Sequence, residues 1–538
     1  MRTARMPHTV ELKGYPTSPG LASGPLVSVD VTPRASRSAG PPDEEGKALR
    51  TAIDQAIAGL AELSEKVSDD SADIITFQIA MLEDPELSHL AWEAIAAGTP
   101  ADAAWMAAID TQIADYEVGD DEYFCARSAD LRDLRDRVIM HLTGSFPDAV
   151  KAGAVLVGVD VTPTRFLETD WSHGGGILLT GGSPSSHVAI LARSRGVPMV
   201  IGLADGKISG HSEALIDGGT GHVVLSPDKA ALVRFEVLGR EAVKSARLEA
   251  KFAGRPATTE DLKPIAVLIN VANPEELDAI DVSTCDGIGL MRTEFLFRDG
   301  AALPDEDTQY AAYRRLLKWA DGRPVTIRTL DAGGDKPIAG LTVDGETNTF
   351  LGVRGIRLSF AREDVFRQQL RALARAAVHG SLKIMWPMIT EPNELDRSAR
   401  IFDEELAALK AAGISCARPQ LGMMVEVPAP AIAPNLFEAA DFFSIGSNDL
   451  TQYVAAAARD NAAVAPLADS VLPIIEQLVA ELTAYGRASG IDVSICGDLA
   501  SEPDRIGGLL RAGLRSLSVS PAAIGRVKAA IAGVRLGD

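Results

Sequence analysis

Apolar residues change their spacing several times along the chain, and each change predicts a different structural unit. Over residues 11–29, ELKGYPTSPGLASGPLVSV, short apolar runs are cut by Gly and Pro, which predicts β-strands. From about 43 to 143, Pro and Gly thin out and apolar positions recur at helical steps, as in Ile53, Ile57, Leu60 and Leu63. Three or four antiparallel helices are expected there, broken near Asp84-Pro85, Gly98-Thr99-Pro100 and Gly119. Between 153 and 226 the runs AVLVGVDV and GGILLT have no helical period, and HVAILARSRG follows as a helix. Residues 228–252, rich in Ala, Lys, Glu and Arg, read as one connecting helix. From 262 onward, IAVLIN, GIGL, VTIRTL, KIMWPM, LGMMVEV, FFSIG, VSIC and LSVS alternate with helical segments. Eight such runs over roughly 275 residues match a (β/α)8 barrel in count and size. A doubly wound sheet is the alternative, and the count of eight favours the barrel.

Composition narrows the possibilities. A chain of 538 residues is too long for one core, so two to four domains are expected. Lys and Arg number 52 against 74 Asp and Glu, a net charge of −22, which disfavours a nucleic-acid partner. A local cluster of arginines can still reverse the field inside one cleft. Four scattered cysteines with no CxxC pair argue against a zinc site or a disulfide framework. The segment MRTARMPHTV has no apolar leader core, and no run of about 20 apolar residues exists. A soluble, reduced, cytoplasmic protein without membrane insertion is expected.

A barrel places its active site at the C-terminal ends of its strands. Those ends carry Arg292 and Glu294; Arg328, Asp331 and Lys336; Glu426; Ser447-Asn448-Asp449; and Cys496. Glu426 and Asp449 offer hard oxygens that suit octahedral Mg²⁺. Arg292 and Arg328 can fork onto phosphate or carboxylate. Mg²⁺ and arginines around a small anion point to phosphoryl transfer by electrostatic stabilisation. Any one of these residues alone reads as a salt bridge, but their occurrence at five strand ends reverses that. A thiol at the mouth could move a proton at carbon, whereas Cys496 without such neighbours reads as a small buried hydrophobe.

A second candidate lies in GGSPSSHVAILARSRG, where His187 follows a Gly/Ser loop and opens a helix. Free N–H groups at a helix start hold anions, and an imidazole is a competent nucleophile near neutral pH. A solvated histidine at a helix start is the plainer alternative. His173, beside Gly174-Gly175-Gly176, is the nearest rival and is expected in a turn.

Several long motifs occur together: DGIGLMRTEFLF (286–297), IRTLDAGGDK (327–336), FFSIGSNDLTQY (442–453), FLGVRGIR, MMVEVPA and SHVAILAR. In these the chain resembles Enzyme I of the phosphoenolpyruvate:sugar phosphotransferase system over nearly its whole length. The resemblance implies a swivelling phosphohistidine α/β domain (1–30 and 144–228) interrupted by a helical bundle (31–143) that docks the phosphocarrier HPr. A linker helix (229–260) and a phosphoenolpyruvate-binding (β/α)8 TIM barrel that dimerises (261–538) follow. It also implies that His187 is phosphorylated, that Arg292, Arg328, Asn448, Asp449 and Arg459 bind phosphoenolpyruvate, and that Glu426 and Asp449 bind Mg²⁺. Cys496 would protonate the enolate of pyruvate, and Lys336, Asn348 and Arg354 would occupy supporting positions. Homodimerisation through the barrel is expected with it.

The sequence departs from that family in places. The usual Gly-Gly-x-Thr-Ser-His reads Gly182-Ser183-Pro184-Ser185-Ser186-His187. Phe166 replaces a Thr, AAAA precedes Arg459 where an acid is usual, and CGELA has become CGDLA at Asp498. These departures bear on rate and partner more than on reaction type. Phosphoenolpyruvate synthase or pyruvate phosphate dikinase is the nearest rival, but no Walker-type loop or large nucleotide-binding domain precedes His187. A regulatory binding protein that kept the fold is the non-enzymatic alternative, disfavoured by the cost of unused buried charge. The nitrogen-related variant of Enzyme I, with its added sensory domain, is not indicated.

Overall fold

Strands with apolar residues on both faces need cover on both faces, and the first sheet shows how the chain supplies it. The computed structural model describes residues 8–29, 37–64, 70–117, 122–146, 150–183, 186–204, 207–297, 303–334, 338, 340–343, 346, 348–458, 464 and 466–537. The chain divides into two units, 1–241 and 242–538.

In the first unit, β1 (Val10–Lys13), β2 (Tyr15–Ser18) and β3 (Leu21–Ser28) precede five helices. These are α1 (Pro42–Ser64), α2 (Asp70–Glu83), α3 (Pro85–Ala96), α4 (Ala101–Glu117) and α5 (Glu122–Thr143). Then come β4 (Val155–Gly158), α6 (Pro163–Glu168), β5 (Gly176–Leu179), α7 (His187–Ser194), β6 (Met199–Ile201), β7 (Glu213–Asp217) and β8 (His222–Leu225). The eight strands form one sheet in the order β1-β8-β7-β3-β4-β5-β6-β2. The side chains alternate along the strands as the pleat requires. Leu156, Ile177, Leu179, Met199 and Ile201 face a core shared with α1 to α5, while Val155, Leu178, Val200 and Ile216 face the other. The bundle is tied to the α/β part by polar bonds as well. Thr164 Oγ1 donates to Asp133 Oδ1 and Oδ2 at 2.6 and 2.8 Å, and Gln78 Nε2 donates to Asp133 Oδ2 at 3.3 Å. Burial pushes the Asp133 carboxyl up despite these bonds and Arg137.

Five helices replace the three or four expected. Residues 65–69, between α1 and α2, and 118–121, between α4 and α5, lie outside the described residues. The expected break at Asp84-Pro85 is marked by residue type: Asp84 caps α3 by accepting from Glu86 N, with Pro85 at the first helical position.

α8 (Lys229–Ala253) carries the chain into the second unit. Its C-terminal end is held by Lys528, a buried lysine whose Nζ donates to the carbonyls of Ala253, Arg255 and Thr284 at 2.9, 2.7 and 2.8 Å. Three carbonyl acceptors replace the water an ammonium loses on burial.

In the second unit the eight apolar runs become β9 (Ala266–Val271), β10 (Ile288–Arg292), β11 (Val325–Arg328), β12 (Leu382–Trp386), β13 (Gln420–Val425), β14 (Phe442–Ile445), β15 (Asp492–Ile495) and β16 (Ser516–Val519). They pair in parallel in chain order, and β16 pairs with β9 to close the barrel. The surrounding helices are α9 (Glu306–Ala320), α10 (Ile356–Ala361), α11 (Glu363–Ala376), α12 (Pro392–Ala411), α13 (Pro428–Ile432), α14 (Ser447–Ala455), α15 (Leu467–Ser489), α16 (Pro503–Arg511) and α17 (Ile524–Ala532). The β9 to β10 connection holds two short 3₁₀ turns, Pro274–Ala279 and Val282–Thr284, in place of an α-helix. Inside the barrel, Leu290, Met385, Met424, Phe442 and Cys496 form one buried cluster. Among the described residues, no helix is long and apolar enough to cross a membrane.

Candidate active site

A cavity of about 390 Å³ opens at the C-terminal ends of the barrel strands. Its apolar lining is Leu290, Met424 and Cys496, from the interior cluster just described. Its polar lining is Arg292, Arg328, Glu426, Asn448, Asp449 and Asp498. Arg292 and Arg328 sit at matched positions on neighbouring strands. Asn448 and Asp449 lie in the first turn of α14, directly after β14. Glu426 follows β13, and its Oε1 accepts from Met388 N at 2.7 Å. Met388 has φ +58°, and Gly355 packs so closely beside it that a Cβ there would meet Met388 Cγ at 2.8 Å.

Behind the cavity wall lies a buried ionic cluster. Arg328 donates from Nη2 to Glu294 Oε1 at 3.0 Å, and its Nη1 pairs with Asp331 Oδ2 at 3.1 Å. Arg354, fully buried, donates from Nη2 to Asp331 Oδ2 at 2.9 Å and to Asp449 Oδ2 at 3.2 Å. Glu294 Oε1 also accepts from Asp331 N at 2.9 Å. Burial alone would weaken the Arg328 charge, but Glu294, Asp331 and Glu426 outweigh it and hold the guanidinium firmly protonated. The same holds for Arg354 beside Asp331 and Asp449. Glu426 is 1% exposed. Burial, then Asp331 and Asp449, push its carboxyl up to about 8, against the pull of Arg328 and Arg354. Among the described residues, the acids Glu294, Asp331, Glu426 and Asp449 thus surround the guanidinium groups of Arg328 and Arg354 in a place with little water. Arg292 differs from these. It is half-buried at the mouth, and among the described residues its guanidinium has neither an ion pair nor a hydrogen bond.

Cys496 is 3% exposed, and its Sγ lies 3.6 Å from the Ile445 carbonyl as donor. Burial pushes the thiol up to about 11, so at neutral pH it is an acid holding its proton. Its alkylation by iodoacetamide should therefore speed up about tenfold per pH unit from pH 7 to pH 10, following the thiolate. Peptide mapping separates it from the other cysteines, and a rate already flat above pH 9 would refute the neutral-thiol assignment.

The expected residues fall into three groups. Arg292, Arg328, Glu426, Asn448, Asp449 and Cys496 line one cavity. Arg354 stands behind it and orients Asp331 and Asp449. Asn348 is exposed at the head of the turn Thr349–Leu351 and is not among the lining residues. Lys336 and Arg459 lie outside the described residues. Glu294 and Asp331 stood in the strand-end motifs without a role, and the structure makes them the counter-ions of Arg328 and Arg354. The one sequence signal for the pairing was the three-residue step from Arg328 to Asp331.

In the first unit, the backbone of His187 begins α7. Ser186 caps that helix, its Oγ accepting from Ala189 N at 3.2 Å, and its own N–H donates to Ser183 O at 3.1 Å. His187's side chain, and Pro184 and Ser185, lie outside what is described. Phe166 is fully buried and packs on Trp171 with ring centroids 5.3 Å apart. It is a core residue of α6. His173 lies in a turn with its side chain 68% exposed.

Comparison with known proteins matches three family models in order. They are the N-terminal domain of PEP-utilising enzymes (residues 13–127), their mobile domain (150–221) and their PEP-binding domain (246–536). A phosphoenolpyruvate-protein phosphotransferase of Listeria innocua is 34% identical over 96% of this chain and 92% of its own. One from Geobacillus stearothermophilus is 37% identical over 86% of this chain and 81% of its own. One from Bacillus subtilis is 33% identical over 96% of this chain and 93% of its own.

Proposed function

Since the chain belongs to the phosphoenolpyruvate-protein phosphotransferases, we propose that the barrel cavity binds phosphoenolpyruvate and Mg²⁺ and that His187 receives the phosphoryl group. The observation that carries this reading is the cavity itself, in which Arg292, Arg328, Glu426, Asn448, Asp449 and Cys496 meet at the strand ends.

The residues suit the metal. Glu426 and Asp449 both line the cavity, and the donors they offer are hard carboxyl oxygens, which suit this cation. Among the described residues, no group of three or more His, Cys, Asp or Glu converges as a protein cage. Mg²⁺ needs none, because it is commonly held by one or two carboxylates with water and substrate oxygens completing the shell. Glu426 and Asp449 are those two. The bound ion would supply charge neutralisation on the phosphate oxygens.

The remaining work belongs to the chain. Arg292 and Arg328 fork onto the phosphate and carboxylate of the substrate, and Asn448 adds a neutral donor. Arg354 holds Asp449 and Asp331 in place, so little reorganisation is left for the transition state. The His187 imidazole attacks phosphorus in line as the P–O bond to the enol oxygen breaks. The enolate is protonated at carbon by Cys496, whose elevated pKa keeps the proton available, and pyruvate leaves. The reaction brings together a histidine from one unit and a cavity from the other, with α8 as the connection that permits it. Lys336, Arg459 and Asn348 are retained as supporting residues on the strength of the motifs that carry them.

The phosphohistidine then passes its group to a histidine of an HPr-type phosphocarrier bound by the helices of residues 42–143. A net charge of −22 favours a carrier with a basic docking face. Homodimerisation through the barrel is supported by exposed apolar side chains there, Ile432, Leu436, Leu467 and Ile474 among them. A cytoplasmic location fits a soluble carrier.

The test is direct. With ³²P-phosphoenolpyruvate and Mg²⁺, the chain should take up label, release an equal amount of pyruvate, and lose the label to an HPr-type carrier. Absence of label from the intact protein would overturn the reading and favour a binding protein. Consumption of ATP with phosphoenolpyruvate formation would favour the synthase class.

A further inference from the structure

We propose that Asp498 is a positioning residue that turns the amide of Asn448 so that its N–H side faces the anionic substrate; this rests on the reading of the cavity as the phosphoenolpyruvate site. Asn448 Nδ2 donates to Asp498 Oδ2 at 2.9 Å, and Asp498 N donates to Asn448 Oδ1 at 2.8 Å. Ser447 Oγ adds a longer bond to the same Oδ1 at 3.4 Å. One residue thus occupies both ends of one amide across a separation of 50 positions.

The reciprocal pair has a specific consequence. An Asn amide presents either a donor or an acceptor depending on a half-turn of its terminal group. Asp498 N–H occupies the carbonyl oxygen, and the Asp498 carboxylate accepts only from the NH₂ end. The flipped state would set a carboxylate against a carbonyl oxygen and an N–H against an NH₂. One N–H of Asn448 remains for the ligand. Without the pair, the amide is free to turn its oxygen toward the substrate's negative charge.

Two further observations support the assignment. Gly497 lets the loop approach closely, since a Cβ there would collide with Ser447 Oγ and meet Asn448 Oδ1 at 2.9 Å. The turn Cys496-Gly497-Asp498 is therefore seated on the start of α14, which joins the strand end bearing the thiol to the one bearing Asn448 and Asp449. Asp498 itself lines the cavity. An acid lining an anion site opposes binding by its charge, so its presence calls for a compensating role. Holding Asn448 is that role.

The proposal predicts opposite outcomes for two small changes. Asp498→Ala removes the side-chain acceptor, and the KM for phosphoenolpyruvate should rise about tenfold with kcat within about twofold. Asp498→Asn keeps an acceptor oxygen for Asn448 Nδ2 and removes the opposing charge, so its KM should be equal to or below that of the natural protein. Asn448→Ala should raise KM as Asp498→Ala does, and the double variant should be no worse than Asn448→Ala alone. Equal KM increases in Asp498→Ala and Asp498→Asn, a fall in both, or additive effects in the double variant would each overturn the assignment. If Asp498→Ala does not fold, Asp498→Ser, too short to reach the amide, takes its place. Labelling of the unmodified protein by phosphoenolpyruvate is the control. Its failure would count against the phosphotransferase reading, whereas label without the KM pattern would count against Asp498 alone.

Discussion

The His187→Ala protein will take up no label from phosphoenolpyruvate, a loss of roughly 10⁴-fold or more in the rate of phosphoryl capture. The reason is local to α7. Ser186 ends the preceding loop and caps the helix, which leaves His187 at its first position. Main-chain N–H groups at that end have no helical acceptor and can cradle a phosphoryl group. Alanine keeps the cap and the donors but removes the nucleophile. Among the described residues, the side chains that line the barrel cavity come from residues 290–498 of the second unit. Phosphoenolpyruvate should therefore still bind, with a dissociation constant within a few-fold by calorimetry, while no burst of pyruvate appears. Three serines, 183, 185 and 186, stand just ahead of His187 and offer hydroxyls as rival acceptors. The label's chemistry decides between them. A phosphoryl group on imidazole is lost in acid, and one on a serine survives. Acid-stable label, or any label kept by His187→Ala, would remove His187 from its assigned role.

The barrel was legible because its strands are buried on both faces and so read as unbroken apolar runs. IAVLIN and LGMMVEV need no alignment to be seen as strands. In the helical bundle the legible boundary was the one set by residue type, Asp84-Pro85, where a capping acid precedes a proline. The site divides in the same way. Residues at strand ends could be placed by the barrel rule alone, and Arg292, Arg328, Glu426, Asn448, Asp449 and Cys496 do share one cavity. What connects them could not be read. Arg354 reaches Asp331 and Asp449 across 23 and 95 positions, and Asp498 reaches Asn448 across 50. No spacing rule spans such intervals, because strand register and rotamers decide those partners. Phe166, which stands where the family often has a threonine, is fully buried in the core.

Glu426→Gln will cost about 10³-fold in turnover while leaving the fold at least as stable, and the two effects share one cause. The natural carboxylate is 1% exposed and stands beside Asp331 and Asp449. Burial and repulsion push its carboxyl up to about 8, so ionising it there is costly. Glutamine has nearly the same shape. Its Oε1 can still accept from Met388 N, which lies 2.7 Å from the natural oxygen. Glutamine removes the cost of ionising a buried acid beside Asp331 and Asp449, so melting temperature should stay level or rise. The loss falls entirely on chemistry. An amide oxygen is a weaker ligand for a hard divalent cation than a carboxylate, and only Asp449 would remain charged to hold it. Phosphate oxygens would then build up negative charge with less compensation as the P–O bond breaks. Steady-state pyruvate release, measured with a melting curve on the same preparation, tests both halves. Turnover within tenfold of the natural protein would remove Glu426 from the metal site. A melting temperature several degrees lower would instead make it a structural acid, with its charge stabilising the cluster.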